Sequence, residues 1–334
     1  MSVRLKDIAK IAGVSVGTVS RVINQKTSEI GGETVKRVEK VIKEEGYVPN
    51  IRARSLKTNR SNILGLLIPS IKNPFFTEIV RGVEDTAYDL GYSVILCNTY
   101  DNFDKETKYL NTLHELRVDG IIVAGSYDRN KEKEEAYSFN VPLIAIDRAV
   151  YYKNISTFIT TDNYSSSEKI AEILFENGYR SFFYLGGPKT NSVAKKRYKG
   201  TKAGLKKKEI SKFKEVFGNF SIEDGYTLIH KEKNIKDYDV IISGNDLLAM
   251  GAIQALREKN IDIPNEISVF GFDDMEIFSE ITPKLSTVKQ PSYLMGVNSV
   301  KMIDKTLNGQ RVKEKYELPQ KLLFRDTTKV KLNE

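Results

Sequence analysis

The chain has 334 residues, 40% hydrophobic and 29% charged, enough for about two or three domains at ~100–200 residues each; one cysteine, Cys97, excludes an internal disulfide framework and a thiolate metal cluster. Two histidines, His114 and His230, leave little for a zinc site or a nucleophilic triad, and no apolar run suits a signal peptide or the ~18 residues of a membrane span, so a cytoplasmic protein is expected. The net charge of +8 is concentrated at the front: residues 1–62 hold 13 Lys+Arg against 6 Asp+Glu, which points to a polyanion partner there and a neutral solute for the nearly balanced remainder.

In chain order, Leu5, Ile8, Ala9 and Ala12 recur at i, i+3, i+4 and i+7, one face of a short helix. Gly13-Val14 breaks it. Ser15 is placed to cap a second helix running to Asn24, with Val19, Val22 and Ile23 turned inward. A third helix, near 34–45, buries Val35, Val38, Val41 and Ile42 and stops at Gly46. The segment YVPNIRARSLKTNRSN that follows carries four basic residues and few apolar ones; it reads as a linker that becomes helical only when bound.

After Asn62 short apolar runs suited to buried parallel strands alternate with amphipathic helices. The runs lie at 63–68, 94–97, 120–124, 143–146 and 158–160, then at 182–185, 214–217, 240–243 and 268–272. Ile79, Val80, Val83, Ala87 and Leu90 mark the first helix. This is too long for one six-stranded unit, so two parallel sheets with a break near Thr160 are expected.

The strongest motif is LKDIAKIAGVSVGTVSRVIN at 5–24, two helices joined by a glycine turn, as in a helix-turn-helix whose second helix enters the major groove. Ser15, Thr18, Ser20 and Asn24 are short hydrogen-bonding side chains suited to phosphates, and Arg21 can grip guanine with two bonds. The alternative is a small helical cap with solvated charges, and the local charge excess weighs against it.

That run, followed by VKRVEKVIKEEGYVPN, ARSL, NPFF, VDGIIV, DNYSS, GYRSFFYLGGP, RYKG, NDLLAMGA, ISVFGFDD and TVKQP, resembles the lactose/galactose-repressor family of bacterial transcription regulators over essentially the whole chain. The resemblance implies an α/β protein with a three-helix helix-turn-helix headpiece (1–48), a hinge helix (49–62) and an effector-binding core (63–334). The core would comprise two doubly wound parallel-sheet subdomains of periplasmic-binding-protein type. One takes about 63–159 and 290–319, the other about 160–289 and 320–334, with crossings near Thr160, Lys289 and Pro319.

By the same resemblance the recognition helix lies at 15–24, with Val16, Gly17 and Arg21 reading bases. Gly17 departs from the larger side chain that many members carry, leaving only backbone at that position. Leu56 matches the family leucine wedged into the minor groove, and Asn50 and Ala53 complete the DNA-contacting set.

Asn73, Phe75 and Phe76 follow the first strand, at the carboxyl end where α/β sheets bind ligands; rings there stack on a sugar's apolar face while amides and carboxylates take its hydroxyls. Asp147 and Arg148 end another strand. The family match implies effector contacts at Asp147, Arg197, Phe220, Asn245, Asp273 and Gln290. Asp246 and Asp274 read instead as helix-start residues.

The implied function is a ligand-responsive repressor of a carbohydrate-utilisation operon. It binds near-palindromic double-stranded operator DNA as a homodimer and is released by a small carbohydrate effector, with no cofactor, metal or catalytic set. The alternative within the family is a co-repressor metabolite or a phosphorylated carrier protein. A solute-binding transport protein shares the clamp core but not the basic N-terminal helices. An α/β enzyme lacks support because Gly186-Gly187-Pro188 has no downstream Gly-Lys-Ser/Thr of a phosphate loop.

Overall fold

The computed structural model describes residues 3–47, 60–126, 138–206, 208–279 and 282–330. Two compact units divide the chain at residues 61 and 62. The predicted hinge positions Asn50, Ala53 and Leu56 lie outside the described residues.

The first unit contains α1 (Leu5–Ala12), α2 (Val16–Ile23) and α3 (Gly32–Glu44). The Asp7 carboxylate accepts from the Arg4 backbone N–H at 2.9 Å and opens α1. Gly13 closes it at φ +65°, a left-handed conformation that costs glycine nothing. The Ser15 hydroxyl accepts from Thr18 N–H at 3.0 Å and starts α2. Helix α3 begins two residues before its predicted start because its first turn lies ahead of the apolar stripe that periodicity detects. Ile8, Ala9, Ala12, Val19, Val22, Val38 and Val41 form an aliphatic core between the helices, with Leu5, Ile23, Val35 and Ile42 half-buried at its rim.

The second unit alternates strands and helices: β1 (Ile63–Ile68), α4 (Pro74–Asp89), β2 (Ser93–Asn98), α5 (Phe103–Glu115), β3 (Gly120–Val123), β4 (Ser138–Ile146), β5 (Lys153–Thr160) and α6 (Asn163–Glu176). It continues with β6 (Ser181–Gly186), α7 (Ser192–Leu205), β7 (Lys212–Phe217), α8 (Ile222–Lys231), β8 (Val240–Ser243), α9 (Asp246–Glu258), β9 (Ser268–Phe270) and α10 (Glu276–Ser279). The last elements are β10 (Thr287–Lys289), α11 (Ser292–Leu307), β11 (Lys315–Glu317) and β12 (Lys321–Leu323).

Among the described residues, one parallel sheet runs β11-β5-β4-β3-β1-β2 and a second runs β7-β6-β8-β9. The antiparallel pair β10–β12 joins the second sheet through the bridges Phe270–Ser286 and Asp273–Lys289. The chain leaves the first sheet after β5, returns to it in β11, and then contributes β12 beside β10. Alternation along β1 sends Leu64, Leu66 and Ile68 toward Phe76, Ile79 and Val83 of α4, and Leu67 toward Cys97, Leu110 and Leu113. Strands β4 and β5 are longer than predicted, since only their buried carboxyl-terminal ends form apolar runs. Leu90, predicted on the buried stripe of α4, is 45% exposed beyond the helix end.

Helix α11 packs on α4 through two glycines. A Cβ at Gly82 would stand 2.2 Å from the Tyr293 carbonyl oxygen, and one at Gly296 would stand 2.3 Å from the Ile79 carbonyl oxygen. Backbone lies on both sides and cannot yield cheaply. Gly296→Ala is expected to lose about 1–3 kcal/mol in urea unfolding; a midpoint equal to wild type would contradict this contact.

Candidate functional site

On the first unit Ser15, Val16, Gly17, Arg21 and Asn24 are exposed along α2, with Thr18 and Ser20 half-buried. The polar set is less free than its composition implies. Ser15 and Thr18 share a hydroxyl–hydroxyl bond of 2.9 Å, and the Asn24 amide donates to the Ser20 carbonyl at 2.7 Å, closing the helix. Arg21 pairs with Glu29 at 3.6 Å, but with both side chains about half or more exposed such a pair contributes only about 0–1 kcal/mol and is readily exchanged for a base or phosphate. A Cβ at Gly17 would meet only the Ser15 hydroxyl at 3.6 Å, so the fold does not require glycine there.

In the second unit, Asn73, Phe75, Phe76, Asp147, Arg148, Arg197, Phe220, Asn245 and Asp273 line one cavity together with Asn191 and Val193. The room it leaves for a small molecule is about 20 Å³, far below the ~300–1,000 Å³ typical of small-molecule sites, so a ligand larger than a water needs the walls to part. Asn73, Asn191 and Asn245 each follow a parallel strand and cap the next helix: their side-chain oxygens accept from Phe75 N–H at 3.0 Å, Ala194 N–H at 2.9 Å and Leu248 N–H at 3.0 Å. Phe220 gains its place through Gly187, where a Cβ would stand 2.2 Å from the ring. The Gly-Gly-Pro turn, which sequence reasoning set aside as a phosphate loop, is thus a seat for an aromatic wall.

The charged groups hold one another. Arg197, 4% exposed, donates from Nε to Asn163 Oδ1 at 2.9 Å, from Nη1 to the Gly244 carbonyl at 2.6 Å and from Nη2 to Asp273 Oδ1 at 3.0 Å. Its guanidinium lies 3.7 Å above the Phe272 ring centroid. Arg148 is tied to Asp101 and donates to the Gly125 carbonyl at 3.0 Å. Burial raises the Asp273 carboxyl to about 6, with Arg197 pulling the other way, and burial also raises Asp147. Asp147 at φ 58° and Asp273 at φ 120° hold left-handed backbone that non-glycine residues adopt at a cost, which concentrates strain where the two carboxylates face the cavity.

Two expectations change and one holds. Gln290 is not among the cavity-lining residues; its amide donates to Asp273 Oδ1 at 2.8 Å, while its oxygen accepts from Thr161 Oγ1 at 2.8 Å and from Gln320 Nε2 at 3.2 Å. Thr161 and Gln320 sit on two of the three segments that join the two sheets and Gln290 on the third, so Gln290 knots the connections to a site carboxylate. Asp246 does open α9, directly after the Asn245 cap, and it also accepts from Thr287 Oγ1 at 2.7 Å and Met275 N–H at 2.9 Å, fully buried. Asp274 forms an ion pair with Arg325 at 2.7 Å and is not among the cavity-lining residues. Sequence reasoning missed Asn191 and Val193. Asn191 had a readable signal, an asparagine opening a helix after a strand, the same that marks Asn245.

Residues 4–50 match the family of bacterial regulatory proteins of the lacI type, and residues 61–323 match the periplasmic binding proteins and sugar binding domain of the LacI family. The chain is 36% identical to the ribose operon repressor of Halalkalibacterium halodurans, over 97% of each chain. It is similar to the structure of the Lac repressor dimer bound to operator and the anti-inducer ONPF, at 29% identity and TM-score 0.87, covering 98% of this chain and 99% of that one. It is also similar to a LacI transcriptional regulator from Alkaliphilus metalliredigens complexed with D-xylulofuranose, at 31% identity and TM-score 0.70, covering 80% of this chain and 99% of that one. The chain belongs to the LacI family of bacterial regulatory proteins and is a DNA-binding transcription repressor whose output is set by a small ligand.

Proposed function

We propose that the chain represses a carbohydrate-utilisation operon as a homodimer on a near-palindromic operator, and that a pentose-sized sugar releases it. The observation that carries the reading is the lining of the cavity: Phe75, Phe76 and Phe220 supply apolar walls, and the polar lining, Asp147, Asn191, Asn245 and Asp273, suits hydroxyls. Relatives whose names mention a pentose, among them the ribose operon repressor and the regulator complexed with D-xylulofuranose, support the same class. We read the site as a sensor rather than an enzyme: Arg197 is engaged by Asp273 and Arg148 by Asp101, and the relatives are named repressors. The DNA-contacting residues are Ser15, Val16, Gly17, Thr18, Ser20, Arg21 and Asn24 with Asn50, Ala53 and Leu56 of the hinge, and the place of action is the cytoplasm, where the chromosome lies.

The bond that Gln290 donates to Asp273 ties the site to the connections between the two sheets, so a sugar that competes for Asp273 biases their arrangement. Gel shifts on a duplex selected from a randomised pool test the reading. Binding should weaken steeply with salt, and D-ribose or D-xylulose should weaken it by roughly 5- to 150-fold. Tighter binding on adding sugar would make the ligand a co-repressor; indifference to pentoses would overturn the pentose assignment.

A further inference from the structure

We propose that the outer face of α7 and the free edge of β7 form a docking surface for an extended acidic peptide, a segment of a partner protein. The inference stands apart from the sugar reading, since this surface shares no lining residue with the effector cavity. Charge on the core is unevenly spread: residues 189–215 hold 11 Lys+Arg against 2 Asp+Glu, whereas the rest of residues 63–334 hold 28 against 36. The excess collects on one side of α7. Lys195, Lys199, Lys202 and Lys206 recur at i, i+4, i+7 and i+11, all exposed, while Ala194, Arg197, Thr201 and Leu205 turn inward. Among the described residues only Lys202 of these four has an acidic partner, Glu215 at 3.8 Å. Clustered like charges short of counter-charges repel one another, which favours an anionic occupant.

Lysines along a strand edge are by themselves a common guard against stray pairing. The shape beside them argues for an occupant. Among the described residues β7 is the edge of its sheet and pairs with β6 alone, so main-chain groups on its other side are open to a further strand. Two grooves of about 520 and 490 Å³ lie between α7 and β7, each large enough to take side chains. Leu205, Ile210 and Phe213 floor the first beneath Lys199, Lys202 and Lys206. Tyr198 and Phe217 floor the second beneath Lys189 and Lys195. Phe213 and Phe217 are four residues apart, ~13 Å at ~3.3 Å per residue, so a strand laid beside β7 sets its side chains i and i+4 into the two grooves. Duplex DNA matches the lysines but has no apolar side chain for the grooves, and a neutral strand leaves the lysines without counter-charge. The occupant is thus an acidic strand with two apolar residues four positions apart.

Fluorescence anisotropy on the full-length protein tests this with a labelled nine-residue peptide, acidic throughout except for leucines at its third and seventh positions. A second peptide carries serine in place of both leucines. The leucine peptide is expected to bind, and the serine peptide to bind at least ~10-fold more weakly because it leaves both grooves empty. Lys199→Glu combined with Lys206→Glu should weaken the leucine peptide by ~10-fold or more, with an unchanged melting temperature because both side chains are exposed. Lys199→Gln with Lys206→Gln removes the charges without reversing them and carries the measurement if the glutamate variant does not fold. Unchanged binding in the lysine variants would place the peptide elsewhere and overturn the proposal, as would a leucine peptide that does not bind at all. Equal binding of the two peptides would overturn the grooves as docking sites. A non-operator DNA duplex weakened by the same lysine changes as much as the peptide would assign the face to nucleic acid instead.

Discussion

Asp273→Ala is expected to cost the core about 3–5 kcal/mol in addition to abolishing the effector response, because it strands a buried cation. Arg197 is 4% exposed and has Asp273 as its ion-pair partner at 3.0 Å; without it, the guanidinium keeps only the Asn163 side-chain oxygen, the Gly244 carbonyl and the face of Phe272. Gln290 loses its acceptor in the same stroke. Asp273→Asn separates the two effects. Its side-chain oxygen still accepts one bond from Arg197, so the fold should lose less, while the negative charge that meets sugar hydroxyls is gone. Thermal melts and gel shifts with and without D-ribose read both quantities. The asparagine variant should remain folded and hold operator DNA, with its sugar response reduced at least tenfold. An alanine variant that melts like the wild type would show that the ion pair contributes nothing to stability, and an asparagine variant with full response would remove Asp273 from the effector contacts.

How much of this was legible beforehand follows from what each signal encodes. Helical spacing marked the headpiece helices because each buries one stripe, and continuous apolar runs marked the strands of both sheets because parallel strands are covered on both faces. Strands β10, β11 and β12 escaped notice: at three residues each they are too short for any period to register, and they pair far along the chain, Thr287 with Leu323 and Tyr316 with Ile159. Asn73, Phe75, Phe76, Asp147, Arg148, Asn245 and Asp273 were legible one by one as polar or aromatic residues at strand ends, whereas Arg197 and Phe220 came from the resemblance and Asn191 and Val193 were missed. Their division of labour was not. Asn245 and Asp246 are neighbours of similar size, and only the fold shows that the first caps a helix while the second is buried against Thr287 and Met275. The same holds for Gln290, which the family resemblance implied as a ligand contact but whose bonds to Thr161 and Gln320 place it among the connections. Those bonds join residues 129 and 30 positions apart, a separation that local pattern cannot register.

Stability should fall as pH rises from about 6 to about 8, the reverse of acid denaturation, and Asp246 should be the main cause. Burial raises its carboxyl to about 8, and the neighbouring Asp273 carboxylate pushes in the same direction. Asp273 itself is raised to about 6. An unfolded aspartate releases its proton near ~3.9. Between that value and the folded one, the native state binds a proton that the unfolded state has lost, so each unit of pH favours unfolding. The penalty is absent below about 4 and complete only once Asp246 ionises, near pH 8. Asp246→Asn should flatten the dependence. Asparagine can keep both contacts, its oxygen accepting from Met275 N–H and its NH2 group donating to the Thr287 hydroxyl, and it never acquires charge. Melting curves of wild type and variant at pH 6, 7 and 8 decide the matter. The wild-type midpoint should drop by several degrees across that range while the variant's stays level, so that the variant is the more stable protein at pH 8. Parallel slopes would mean that Asp246 is ionised throughout, held by Thr287 and Met275 alone.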